Sequence, residues 1–277
     1  MEILRQITRE PLGLFGLILV SIIVASALFA GVISPYDPIA LNIIDRLQGP
    51  STSHLLGTDQ LGRDLFSRVL FGGQVALKVA LVSIAAALSV GVLLGMAAGF
   101  GPKWLDNCIM LFFDTIRSFP TVMFALATVA LVGPSLTTVI AVIIVTSIPT
   151  YGRVVRTQTL TIKSNEFVLA ERVMGVSTFR ILSRHILPNV IGPLIILASM
   201  DIPTVIALEA GLSFLGMGVK PPTPSWGSIL NDGYTLIRNT PWPIIAGSIP
   251  LVLITLGFTF LGESLRDLID PKLRKSF

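Results

Sequence analysis

Few side chains in this sequence are of a type that does chemistry, and most of those stand among apolar residues. Asp201 lies in a run from Ile186 to Ala207 that holds no Lys or Arg. A carboxylate at depth in hydrocarbon costs several kcal/mol unless it is paired or wetted. Asp201 therefore either faces a water-filled pathway, where it meets a cationic group of a passing solute, or is buried against another helix or protonated. Asp114 and Arg117 are three apart, the spacing of a helical ion pair near a membrane boundary, and are read as structural. Glu209, at the far end of the Asp201 run, is read as interfacial. Neither histidine, His54 nor His185, belongs to a His-Glu-x-x-His pair, and there is no Gly-x-Ser-x-Gly turn and no Gly-x-x-x-x-Gly-Lys-Ser/Thr phosphate loop. The single cysteine, Cys108, excludes an internal disulfide and a multi-cysteine metal site. Catalysis has little to work with here.

The other unusual stretch is the polar window from Tyr151 to His185. Inside it, Glu166-Phe167-Val168-Leu169-Ala170-Glu171-Arg172-Val173-Met174 reads as a short helix. Ser164 or Asn165 caps its start, Glu166 complements the first turn, and Gly175 suits the position after the last. Roughly nine residues make about 13 Å of helix, too short to cross a bilayer and marginal alone in water. Its apolar residues leave little polar surface. It either docks into another protein or packs as a surface helix on its own chain.

The elements that position these groups follow from composition. With 52% hydrophobic and 13% charged residues and a mean hydropathy of +0.82, the chain is a membrane protein. Six stretches can span: Leu12–Ile33, Val75–Phe100, Ile109–Val132, Leu136–Tyr151, Ile186–Ala207 and Pro243–Gly262. With the N-terminus inside, thirteen Lys and Arg fall in inner segments, among them Arg5, Arg9, Arg153, Arg156, Lys163, Arg180 and Arg184, against five outside. This bias makes both termini and the Tyr151–His185 window cytoplasmic. The net charge of +4 belongs to it and does not indicate nucleic acid. The first span runs on through Ile33 beyond a usual signal core, so it is read as a retained anchor rather than a cleaved leader.

Two segments face outward, Ser34–Gly73 and Glu209–Trp242, rich in Gly, Pro and paired charges. In the second span, Gly91, Gly95 and Gly99 form a ridge that admits another helix closely, within this chain or from a partner. Pro188, Pro193 and Pro203 should bend or break the fifth span. A secondary transporter usually carries several mid-membrane polar groups and broken helices in related halves, neither of which is evident here. A pore driven from outside the chain fits better than a secondary transporter or a scaffold.

In order and spacing, several pieces resemble one family. They are Pro35-Tyr36-Asp37-Pro38, the run Leu56-Gly57-Thr58-Asp59-Gln60-Leu61-Gly62-Arg63-Asp64 with Ser67-Arg68, and Phe119-Pro120. Further along come Glu209 through Leu215-Gly216, Pro221 through Trp226-Gly227, and Leu265-Arg266-Asp267 with Asp270-Pro271. The chain resembles, over nearly its whole length, the inner-membrane permeases of ABC importers for dipeptides, oligopeptides and nickel complexes, most closely the second of the paired permeases. Gly175, Leu187 and Pro188 match the family's cytoplasmic coupling loop. Its Glu-Ala-Ala falls on Leu169, Ala170 and Glu171, where only the central alanine agrees, so that Glu166 or Glu171 would substitute from a neighbouring turn. Glu263 stands where aspartate is expected.

The resemblance implies an all-α membrane protein of six transmembrane helices with the type I importer permease (MetI-like) fold. Residues 1–73 would supply the first helix and an extracytoplasmic loop, and residues 74–277 the permease core with a coupling loop at about 153–187. It implies a bacterial inner-membrane location, a homologous second permease, two cytoplasmic ABC ATPases that use ATP and Mg2+, and an extracytoplasmic solute-binding protein, with no cofactor in this chain. The coupling residues would be Glu166, Phe167, Leu169, Ala170, Glu171, Met174, Gly175, Leu187 and Pro188. Asp59, Arg63, Asp64 and Trp226 would face the binding protein. Short peptides are the expected cargo, with nickel complexes or another small solute as the alternative.

Overall fold

The computed structural model describes residues 10–269, with side chains described to Asp267. Arg5, Arg9, the Asp270-Pro271 pair and both termini, whose cytoplasmic placement the charge bias predicts, lie outside the described residues. Those residues are helical without a β-strand; Thr58 and Asp64 form an isolated antiparallel bridge.

Helix α1 (Pro11–Leu28) begins with a proline, whose missing N–H is no loss in a first turn, and a separate turn, α2 (Ala30–Ile33), follows. Then come α3 (Leu65–Phe100), α4 (Lys103–Arg117), α5 (Thr121–Val132), α6 (Leu136–Lys163) and α7 (Glu166–Val173). Helix α8 (Thr178–Ile181) passes through a π-helical segment, Leu182–Ile186, into α9 (Leu187–Phe214). Helices α10 (Trp226–Thr235) and α11 (Trp242–Ile269) complete the described chain.

Five of these stretches are long and apolar enough to cross a membrane, and the pair α4–α5 makes a sixth only if its bend is counted within one span. The expected third span, Ile109–Val132, is therefore not a straight helix. It bends by 83° at Ser118-Phe119-Pro120, because proline lacks an N–H and drives the residue before it out of helical geometry. Helix α4 is amphipathic, with Ile109 and Phe113 buried and Trp104, Leu111 and Phe112 exposed. The second span is also longer than expected. At 36 residues α3 is about 54 Å long, well beyond a hydrocarbon core of about 30 Å. The fourth expected span ends not at Tyr151 but at Lys163, since Arg153, Arg156 and Lys163 find partners that keep them helical. The fifth is not broken: α9 runs unbroken through Pro188, Pro193 and Pro203.

The chain divides into two compact units. One comprises residues 1–81, 125–140 and 200–277, the other residues 82–124 and 141–199. In the first, α1 and α10 pack on α11. Gly16 lies against the Gly257 carbonyl and Leu261, where a Cβ would come within 2.8 Å, and Phe15 and Phe260 meet at 6.0 Å between centroids. Trp226 is buried over Gly72 and Gly73 and donates its indole N–H to the Val69 carbonyl at 2.9 Å. A reciprocal cap between Ser225 and Ser228 starts its helix.

In the second unit the glycine ridge packs within the chain. Gly91, Gly95 and Gly99 meet Tyr151, Gly152, Val155 and Thr159 of α6, and a Cβ at Gly95 would lie 2.6 Å from that of Val155. Phe113 of α4 fills the space beside Gly152 and is fully buried.

Candidate functional site

Helix α7 starts at Asn165, which holds the extended cap conformation without a side-chain hydrogen bond. It ends in a Schellman motif. The Val176 N–H reaches the Glu171 carbonyl at 3.0 Å, the Gly175 N–H reaches that of Arg172 at 3.1 Å, and Gly175 has φ +77°. No heavy atom lies within 4 Å of a Cβ built on Gly175, so the backbone angle rather than crowding selects glycine.

The helix rests on one buried residue, Val168 (0% exposed), and presents Phe167, Leu169 and Ala170 outward together with Val173 (89%) and Met174 (72%). Phe179 of α8 is also exposed. For a helix of eight residues this is a large unpartnered apolar face.

What lies behind α7 is held by polar and ring contacts. Glu171 Oε1 lies 2.8 Å from His185 Nε2 in the π-helical segment, and the Phe167 and His185 rings are 5.7 Å apart. That segment replaces ordinary helical bonding with a Leu187 N–H to Leu182 carbonyl bond just ahead of Pro188, which has no N–H to give the Arg184 carbonyl. Leu187 is half-buried and Pro188 exposed. Lys163 Nζ caps the end of α3 by donating to the carbonyls of Gly99 (3.3 Å) and Phe100 (3.0 Å), and both Lys163 and Arg172 lie over the Phe100 ring.

Helix α6 is tied to α4 in the same way. Arg156 makes a two-pronged bond to Asp106 at 2.5 and 2.7 Å, and Arg117 donates to Thr150 at 3.0 Å. Asp114 pairs with Arg153, not with Arg117 as its spacing suggests. The partner comes from the adjoining helix, 39 positions away. Residues 153–163 consequently belong to α6 rather than to a loop.

Asp59, Arg63, Asp64 and Trp226, expected to face a partner, are buried in this chain. Arg63 Nε donates to Asp59 Oδ2 at 2.6 Å, and Asp59 Oδ1 also accepts the backbone N–H groups of Leu61 and Arg63. Asp64 accepts from Ser67 and lies 2.9 Å from His54 Nδ1. Asp232, on α10, closes the cluster with Arg63 at 3.3 Å and Arg68 at 3.4 Å. Burial pushes the Asp232 carboxyl above its ordinary value, while Arg68 and Arg63 pull it down. Sequence spacing gave no sign of Asp232, because its partners stand more than 160 positions away. Such buried charges hold a loop together by pairing with one another.

Glu209 is fully buried, not interfacial, and accepts from Ser213 at 2.7 Å. Asp201 is half-buried and engaged within the chain. Among the described residues no group of His, Cys, Asp and Glu could hold a metal ion.

Residues 91–275 match the model of the family described as the binding-protein-dependent transport system inner membrane component, and residues 1–50 match the N-terminal TM domain of oligopeptide transport permease C. The chain belongs to this permease family. It is 36% identical, over 99% of its length and 90% of the relative's, to the dipeptide transport system permease protein DppC of Alkalihalophilus pseudofirmus. It is 39% identical, over 98% of its length and 89% of the relative's, to the glutathione transport system permease protein GsiD of Pectobacterium atrosepticum. Among solved structures, an inward facing conformation of the MetNI methionine ABC transporter aligns with a TM-score of 0.60 at 19% identity, covering 74% of this chain and 97% of that one. The all-α MetI-like permease fold expected from the sequence is the fold found. As an ABC importer permease it is a multi-pass inner-membrane transport subunit rather than a catalytic enzyme.

Proposed function

We propose that this permease forms half of a pathway that imports short peptides, driven by separate ATPases that dock on α7. The peptide cargo rests on relatives that carry dipeptides and glutathione. The chain would work with a homologous second permease, two cytoplasmic ABC ATPases and an extracytoplasmic solute-binding protein. ATP and Mg2+ would be used by the ATPases alone, since this sequence carries no phosphate loop. Both termini and α7 would then be cytoplasmic, in keeping with the Lys and Arg bias.

The observation that carries the reading is the exposed apolar face of α7, fastened from behind. An ATPase groove would cover Phe167, Leu169, Ala170, Val173 and Met174. Glu171–His185, with Leu187 and Pro188 beyond it, would carry the displacement into α9, and Lys163 and Arg172 would carry it to the end of α3. Glu166 is exposed at the start of α7, free to meet a basic group on the ATPase. Taking such a two-state device from 1:99 to 99:1 needs about 5.5 kcal/mol of differential binding, which nucleotide-driven closure can supply.

The test is peptide uptake by the assembled transporter in proteoliposomes. Met174→Asp should leave assembly intact and abolish the coupling of ATP hydrolysis to uptake. Wild-type coupling in that variant, or uptake by the chain alone under an ion gradient without ATP, would sink the proposal.

A further inference from the structure

The ion cluster borders a cavity of about 240 Å3 whose lining includes Arg63, Arg68, Lys220 and Asp232, with Gln60 and Asn231. Three cations face it against one carboxylate, because Asp59 stands behind the arginines and not in the wall. The cations are also incompletely used. Among the described residues Arg68 Nε is buried with no hydrogen-bond partner, and Arg68 Nη1, although 3.3 Å from Asp59 Oδ2, lies outside hydrogen-bonding geometry.

Among the described residues Asp232 is the one acid within the wall, and it is held loosely. Its contacts to Arg63, Arg68 and Gln60 are 3.3, 3.4 and 3.4 Å, against 2.6 Å for Arg63 to Asp59. Its side chain is 23% exposed, whereas those of Asp59 and Arg68 are at most 3%. Burial also weakens its hold on charge. An orphaned guanidinium N–H in a mostly desolvated wall carries an unrepaid desolvation penalty that an incoming anion relieves. Planar guanidinium groups suit a carboxylate, which can bridge two donors at once.

We infer that this cavity is a carboxylate site, in which Lys220 at the rim and the Arg63–Arg68 pair within receive the C-terminal carboxylate of a peptide. This rests on the peptide reading above, under which the cavity opens on the outer side and would meet cargo as it enters. The site would recognise a free carboxylate and no particular side chain, a selectivity suited to peptides of varied sequence.

The experiment uses the assembled transporter in lipid nanodiscs without its binding protein, probed by saturation-transfer NMR with N-acetylglycine and N-acetylglycinamide. The acid should give at least a fivefold stronger signal than the amide. Lys220→Gln, at an exposed position, should reduce the acid's signal at least threefold and leave the amide's unchanged. Arg63→Gln should abolish the difference where it folds. A second arm measures dipeptide uptake, where Lys220→Gln should raise KM several-fold. Equal signals from acid and amide, or an acid signal untouched by Lys220→Gln, would overturn the inference. So would a loss confined to docking of the binding protein, which would make the carboxylate a protein side chain. If wild type gives no peptide uptake while the acid still binds, the cargo reading fails and the carboxylate site stands.

Discussion

The Asp59–Arg63–Arg68–Asp232 cluster and helix α7 are opposites in how they treat their chemistry. The cluster takes charged side chains that water would welcome and buries them against each other. Helix α7 takes apolar side chains that a core would welcome and leaves them exposed. In the first case the chain uses electrostatics to define its own loop, and removing a partner strands a charge. In the second it keeps an unsatisfied surface, which a second protein can complete. A residue that looks functional by charge can thus be architectural, while a plain Met or Val on a short helix can be the working surface.

The contrast is sharpest for Asp59→Ala. Buried Arg63 would lose its best acceptor and buried Arg68 a counter-charge 3.3 Å away, and loss of one buried partner costs about 3–5 kcal/mol. Thermal unfolding of the purified protein should show a large downward shift, and an unchanged midpoint would mean the cluster is not structural. Gly175→Val comes next. A β-branched residue forced to positive φ costs of order 1–3 kcal/mol, and because the position is open the strain is purely conformational. Uptake should fall more than stability does, and the reverse would place Gly175 with the architectural residues.

Asp232 sharpens the comparison through pH. Its carboxyl is raised above the ordinary value by burial, so its contribution to stability is fully present below the unfolded-state pKa and is lost as pH rises through the folded one. Melting curves from acid toward neutral pH should carry a downward component that Asp232→Asn removes; a slope surviving in the variant would assign it elsewhere. Smallest in stability is Met174→Asp, expected within about 0.5 kcal/mol of wild type because the side chain is already in solvent. If it unfolds the protein, α7 is a packing element and the contrast collapses.

What could be read along the chain was what depends on neighbours in sequence. Hydropathy sums locally, so the membrane class and most spans were legible, and capping and glycine patterns located α7 to within a residue. The Gly91–Gly95–Gly99 ridge announced a close helix contact. The bend at Phe119-Pro120 was legible in principle, since proline limits the residue before it, yet the continuous apolar pattern on both sides hid it. Pro188, Pro193 and Pro203 do not break α9, and at Pro188 the π-helical segment just ahead carries the irregular bonding.

Partner choice was another matter. Asp114 has a cation one turn away and takes Arg153 instead; Glu171 takes His185; Arg63 and Arg68 share Asp232. By itself the sequence determined that this is a helical membrane protein with a stubby apolar helix, because transfer free energy and backbone geometry act residue by residue. Only the tertiary structure decided which charges are spent on the fold and which surfaces stay open. Burial and pairing depend on which distant segments meet, and no local pattern encodes that meeting.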